Sequence, residues 1–149
     1  MSQAESAQER LQRLHFPMYA RYPITLVEGR GSRVRDSEGR EYIDALAGIA
    51  VNALGHCHPA VVAAITEQAN RLIHCTNLYF AEPQAELAER LTATVGLDRV
   101  FFTNSGTEAV EGALKLARRH AGDHDHGATI VSFEGCFHGR SMGALSTHS

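Results

Sequence analysis

The side chains best suited to chemistry lie in two short loops in the second half of the chain. The first is Asn104-Ser105-Gly106-Thr107, set between the apolar pair Phe101-Phe102 and a helical pattern of Ala109, Val110, Ala113, Leu114 and Ala117. The first N–H groups of a helix have no intrahelical acceptor, and the helix dipole adds partial positive charge there. Gly106 lets a ligand approach the backbone closely, and Ser105 and Thr107 offer hydroxyl donors. Such a loop suits an oxyanion, above all a phosphate. A second reading fits the same letters equally well. Ser105-Gly106-Thr107-Glu108 matches the S-x-x-E capping box, which satisfies helix-end donors without any ligand. The loop has neither the lysine spacing of a nucleotide P-loop nor the G-x-G-x-x-G of a dinucleotide fold.

The second loop is "GCFHGRS", residues 135–141. Phe137 offers an aromatic face, His138 an imidazole and Arg140 a guanidinium fork that can grip a carboxylate through two hydrogen bonds. Taken singly, Phe137 serves equally as core packing and Arg140 as a solvated surface charge. Together with the first loop they describe a place for a phosphorylated planar cofactor and an acidic substrate. Two histidine clusters, His56-Cys57-His58 and Asp123-His124-Asp125-His126, raise the question of a metal. Neither has the converging second half that a zinc site requires, so a turn and an exposed loop are the readings favoured for them.

These loops need elements to hold them. Residues 1–15 read as a polar helical arm, followed by an irregular proline-containing segment, "FPMYARYP". "ITLVEGRGSRVRDSEGREYIDALAG" reads as short antiparallel strands around a type I turn at Asp36-Ser37-Glu38-Gly39. From Pro59 the apolar period becomes helical through Val61, Val62, Ile65, Ala69, Leu72 and Ile73. A second helix is expected from Pro83, with Leu87, Leu91 and Val95 on one face and Gly96 as its stop. "DRVFFTN" and "ATIVSF" flank the helix after Thr107, so strand, helix and strand are expected to form a right-handed parallel βαβ unit. Both loops would then emerge on the carboxyl edge of the sheet, where ligands bind in such folds.

The chain has 149 residues, 44% of them apolar, and a formal charge of −3. That length is enough to bury a core, and the charge balance offers nothing to nucleic acid or an anionic membrane. No apolar run approaches the roughly 18 residues of a membrane span, and the amino terminus has no signal-peptide core. A cytoplasmic protein with reduced cysteines is expected.

Four stretches in this order, "GIAVNALGHCHPAVVAAI", "TNLYF", "FFTNSGTEAVEGALKLAR" and "FHGRSMGALS", resemble the class III aminotransferases, most closely their acetylornithine branch and its succinylornithine relatives. The resemblance covers about residues 16–146. It implies an α/β fold, namely the amino-terminal portion of the fold-type I transferase fold that binds pyridoxal 5'-phosphate. Residues 1–75 would be an amino-terminal arm and a small-domain segment. Residues 76–149 would begin the large cofactor-binding domain.

By the same resemblance Ser105, Gly106 and Thr107 hold the cofactor phosphate and Phe137 covers the pyridine ring. Arg140 binds the α-carboxylate of the substrate, and Tyr19 borders its pocket. Asn77 to Tyr79 sit near the entrance and a dimer interface, and His138 has no assigned role. The implied reaction passes an amino group from N-acetylornithine, or a similar ω-amino acid, to 2-oxoglutarate, as in arginine biosynthesis, in a homodimer when full length. Ornithine, succinylornithine and 4-aminobutyrate are the competing donors, and a non-catalytic truncated product is the competing class. The Schiff-base lysine and the aspartate at the pyridinium nitrogen lie downstream of this sequence in relatives. Lys115, the only lysine here, falls in the helix after the phosphate loop and is expected to be a surface residue.

Overall fold

The computed structural model describes residues 5–122 and 129–148. The chain divides into two compact units, Met1–Thr76 and Asn77–Ser149.

The first unit opens with helix α1 (Ala7–Leu14), started by a full capping box in which Ser6 and Glu9 satisfy each other's helix-end donors. Strands β1 (Leu26–Arg30), β2 (Arg33–Asp36) and β3 (Glu41–Ile43) form an antiparallel sheet in that order. The β2–β3 turn closes as expected, with the Gly39 N–H donating to the Asp36 carbonyl at 3.0 Å. The Asp36 side chain, only 2% exposed, anchors this turn. It accepts from the N–H groups of Glu38 and Arg40, from the Arg40 guanidinium and from the Tyr42 hydroxyl.

A tight turn, α2 (Ala47–Ala50), follows the sheet. Ala47, Gly48, Ile49 and Ala50 all have positive φ, a left-handed course that costs an L-residue about 1–2 kcal/mol. Asp44 braces it. One carboxylate oxygen accepts from the Leu46 and Ala47 N–H groups, and the other meets His56 Nε2 at 2.6 Å. His56 also exchanges two backbone hydrogen bonds with Gly31, and its ring occupies the space that a Cβ on Gly29 would need. Helix α3 (Pro59–Arg71) then starts on its proline, as expected.

The second unit begins with α4 (Glu82–Val95), which stops at Gly96 in the left-handed conformation. Helix α5 (Gly106–Ala121) is capped by Ser105 and carries Arg118 and Arg119 in its last turn, cations that suit a helix carboxyl end. A short α6 (Met142–Ser146) packs against α5.

Two expectations fail here. The runs around Phe101-Phe102 and Ile130-Val131 form no strand, so there is no parallel βαβ unit among the described residues. A strand needs a neighbour for its N–H and C=O groups, and neither run lies beside another strand.

The expected core is also missing. Among the described residues only Val34, Asp36, Gly139 and Ala144 are buried. The apolar face of α4 forms as read, but α3 ends at Arg71, so Leu72 and Ile73, expected on its face, lie beyond the helix; Ile65, Leu87 and Val95 remain exposed. A compact monomer of this length would expose roughly 7,500 Å², and two separate compact halves roughly 9,000 Å². This chain exposes 13491 Å². Many large apolar side chains contribute to it, Phe80, Leu78, Ile73 and Phe133 among them.

Candidate functional site

The first loop resolves into a capped helix start that still has donors to spare. Ser105 Oγ accepts from the Glu108 N–H at 3.3 Å, which is one half of a capping box. The other half differs. The Glu108 carboxylate reaches past Ser105 to the N–H and side-chain amide of Asn104, at 2.8 and 3.1 Å. The N–H groups of Gly106 and Thr107 have no acceptor among the described residues. A Cβ on Gly106 would meet nothing within 4 Å, so this side of the helix start is open. Capping and anion binding are therefore compatible here, because they use different donors.

The second loop folds directly onto that helix. Gly139 lies against Thr107 so closely that a Cβ there would fall 2.2 Å from Thr107 Oγ1, and Gly139 has a φ of 125°. Gly143 is equally close to Glu111, with 2.2 Å from its imagined Cβ to Oε2. Between them, the Ser141 hydroxyl meets Thr107 Oγ1 at 2.7 Å and donates to Glu111 Oε1 at 2.5 Å. The Ala144 N–H donates to the same carboxylate oxygen at 3.0 Å. Hydrogen bonds from the Ser141 hydroxyl, and then from the Ala144 and Gly143 N–H groups, hold the Glu111 carboxyl below its ordinary value and keep it ionised.

Arg140 sits between these two contacts in sequence, with its guanidinium carbon 5.5 Å from the centre of the Phe137 ring. The opposite end of the loop is tied down as well. Phe137 meets His148 edge-on at 5.1 Å, and His138 Nδ1 lies 2.9 Å from the Thr147 carbonyl. His138 is thus a brace for the loop. Ser105, Gly106 and Thr107 lie at the start of α5, and Phe137 and Arg140 in the loop that leads into α6; of the five, only Thr107 is partly covered and the others are exposed. Tyr19 lies in the other unit, lining a cleft of about 380 Å³ beside α1 with Gln8, Leu11 and Arg21.

Reading the sequence by chemistry missed Glu111, Ser141 and the role of Gly139 and Gly143. One signal was available. Glu111 interrupts the apolar face of α5, four residues after Thr107, the spacing that places two side chains on the same helix face. Gly139-Arg140-Ser141-Met142-Gly143 also has the G-x-S-x-G spacing of a serine-hydrolase nucleophile. The structure gives Ser141 a different role, since its hydroxyl donates to the Glu111 carboxylate and meets the Thr107 hydroxyl, with no histidine beside it among the described residues. Lys115 is exposed on α5, eight residues beyond Thr107. His56 is paired with Asp44, and the described residues contain no group of three metal-ligating side chains. Residues 123–126 lie outside the described residues. No helix among the described residues is long and apolar enough to cross a membrane.

The site and fold meet a known class at this point. Residues 17–149 match the family described as aminotransferase class-III, and the chain belongs to that family. It is 58% identical over 142 residues to the acetylornithine aminotransferase of Methanopyrus kandleri, covering 94% of this chain and 36% of that protein. Among solved structures, the N-acetylornithine aminotransferase of Stenotrophomonas maltophilia K279a is 45% identical with a TM-score of 0.76, over 81% of this chain and 34% of that one. The ornithine aminotransferase of Toxoplasma gondii, described with pyridoxal phosphate at its active site, is 30% identical with a TM-score of 0.86, over 99% of this chain and 36% of that one. The α/β fold is therefore a portion of the fold of pyridoxal-phosphate-dependent aminotransferases. The chain spans about a third of the length of the curated relatives it matches.

Proposed function

We propose that this chain is the amino-terminal portion of a transaminase that moves an amino group from N-acetylornithine to 2-oxoglutarate. The observation that carries the reading is the pair of N–H groups at Gly106 and Thr107, without acceptors, beside the loop that presents Phe137 and Arg140. Charge-assisted hydrogen bonds of roughly 1.5–3 kcal/mol each suit a phosphate at such a place. The open side of Gly106 leaves room for it. These residues fit pyridoxal phosphate.

In this reading Gly106 and Thr107, with the Ser105 hydroxyl, hold the phosphate. Phe137 covers one face of the ring. Arg140 grips the α-carboxylate of the amino donor and so fixes which end of the substrate faces the ring. Tyr19 is assigned to the substrate by resemblance alone; residues 1–75 are read as the amino-terminal arm and a small-domain segment, and residues 76–149 as the start of the large domain. The cofactor, once bound, supplies an electron sink for the carbon that loses a proton. The residue that moves that proton lies outside this chain, since Lys115 sits two turns along α5. The exposed apolar faces of α3 and α4 are covered by the rest of the fold and by a second subunit of a cytoplasmic homodimer.

The test is steady-state kinetics of the full-length enzyme with each amino donor and 2-oxoglutarate. The reading expects kcat/KM for N-acetylornithine to exceed those for ornithine, succinylornithine and 4-aminobutyrate. Ornithine turned over as well or better would overturn the donor. No turnover with 2-oxoglutarate, but turnover with another 2-oxo acid, would overturn the acceptor. The ornithine alternative is favoured by the structural likeness to the Toxoplasma enzyme, which spans 99% of this chain.

A further inference from the structure

We infer that Glu111 is a positioning residue: through Ser141 it turns the Thr107 hydroxyl inward, leaves the phosphate to the backbone N–H groups of Gly106 and Thr107, and registers that grip against the loop carrying Arg140. The inference rests on the cofactor reading given under Proposed function.

Counting protons leads to it. An ionised carboxylate only accepts hydrogen bonds, and each hydroxyl has one proton to give. The Ser141 proton goes to Glu111 Oε1. The 2.7 Å contact between Ser141 and Thr107 must then use the Thr107 proton. The Thr107 oxygen also faces the Ser141 N–H at 3.4 Å. Thr107 thus has no hydroxyl proton left for an anion, and a lone pair turned towards a phosphate oxygen would repel it. Ser105 differs. Its oxygen accepts from the Glu108 N–H, which leaves its proton free to donate outward.

The same carboxylate sets a distance. Glu111 holds Ser141 and Ala144, the residues at the start of α6, and the two missing Cβ atoms of Gly139 and Gly143 let that segment lie directly on α5. Arg140 lies between Gly139 and Ser141, both in contact with Thr107. Loosening the clasp moves the carboxylate grip relative to the phosphate grip. A misplacement of about 1 Å can cost on the order of a hundredfold in rate.

The test uses the full-length enzyme and its apo form, with T107V, T107S, S141A, E111A and E111Q. Cofactor affinity is read by titrating apoenzyme with pyridoxal phosphate, and phosphate affinity by competition with inorganic phosphate. KM for the amino donor and the melting temperature are measured in parallel. T107V should keep both affinities within about threefold, because the backbone donors remain, while KM rises about fivefold or more. S141A and E111A should raise KM in the same way. E111Q should recover most of it, since its amide oxygen accepts the same two bonds, and T107S should resemble wild type. A loss of roughly tenfold or more in phosphate affinity in T107V would make the hydroxyl a phosphate donor and overturn the inference. So would E111A and S141A that lower the melting temperature but leave KM and both affinities at wild-type values. Should E111A fail to fold, T107V and S141A decide the matter. Wild-type apoenzyme that takes up no pyridoxal phosphate would overturn the cofactor reading itself, and this inference with it.

Discussion

The Thr107 and Ser141 hydroxyl oxygens lie 2.7 Å apart, joining the start of α5 to a loop 34 residues later. The strand pairing expected between those two regions is absent among the described residues, so this polar contact and its neighbour at Glu111 hold the second unit's two candidate loops together. The packing is close enough to make glycine obligatory on one side.

Three glycines in this region should therefore respond differently to alanine. Gly143→Ala places a methyl against Glu111 and should destabilise the full-length enzyme by about 1–3 kcal/mol. Gly139→Ala adds a φ of 125° to a similar clash and should cost more. Gly106→Ala meets no atom within 4 Å and should leave the melting temperature unchanged, yet it narrows the open side of the helix start. Its phosphate affinity should fall about tenfold, roughly the loss of one charge-assisted hydrogen bond. Thermal melts beside phosphate competition would show whether the two properties separate.

Arg140 should act on substrate and not on cofactor. Arg140→Lys keeps the charge but loses the planar fork, so amino-donor KM should rise about tenfold or more. Apoenzyme should bind pyridoxal phosphate as before. Equal losses in both measurements would place Arg140 on the phosphate.

Much of this was legible in the sequence because it depends on local rules. Pro59 and Gly96 mark helix ends by their own backbone preferences, and Asp36 to Gly39 spell a turn. The phosphate-loop candidate was legible for the same reason, as a glycine between hydroxyls at a helix start. What failed was non-local. Phe101-Phe102 and Ile130-Val131 have strand composition, but a strand exists only where a partner supplies its ladder. Glu111 was hidden because its significance depends on Ser141, 30 residues away.

Asp36 should give the turn a distinctive acid response. Burial raises its carboxyl pKa, but the Arg40 guanidinium, the Tyr42 hydroxyl and two backbone N–H groups outweigh burial and hold it at about 2. An unfolded aspartate titrates near about 3.9. The lowered folded value means that Asp36 contributes fully above that pH and that its contribution is lost as the pH falls towards about 2. Carbon-13 titration of the Asp36 carboxyl should give a midpoint near 2, and Asp36→Asn should abolish this part of the acid response. A midpoint near 4 would mean the four donors do not hold in solution.

The 149-residue chain alone should fold poorly. With 13491 Å² exposed, it should melt broadly and bind a hydrophobic dye strongly at room temperature. It should also give no site-specific, borohydride-reducible adduct of pyridoxal phosphate at Lys115, which stands exposed on α5. A sharp calorimetric transition, or a single modified Lys115 peptide by mass spectrometry, would contradict the expectation.

The left-handed turn at Ala47–Ala50 has a consequence for a nicked protein. Asp44 grips the backbone just before it, and His56, bonded to both Asp44 and Gly31, secures the chain just after it. The intervening segment is a handle fastened at both ends. A protease that cuts it would create two termini still tethered to one sheet, and the break would show on a denaturing gel before it showed in the fold.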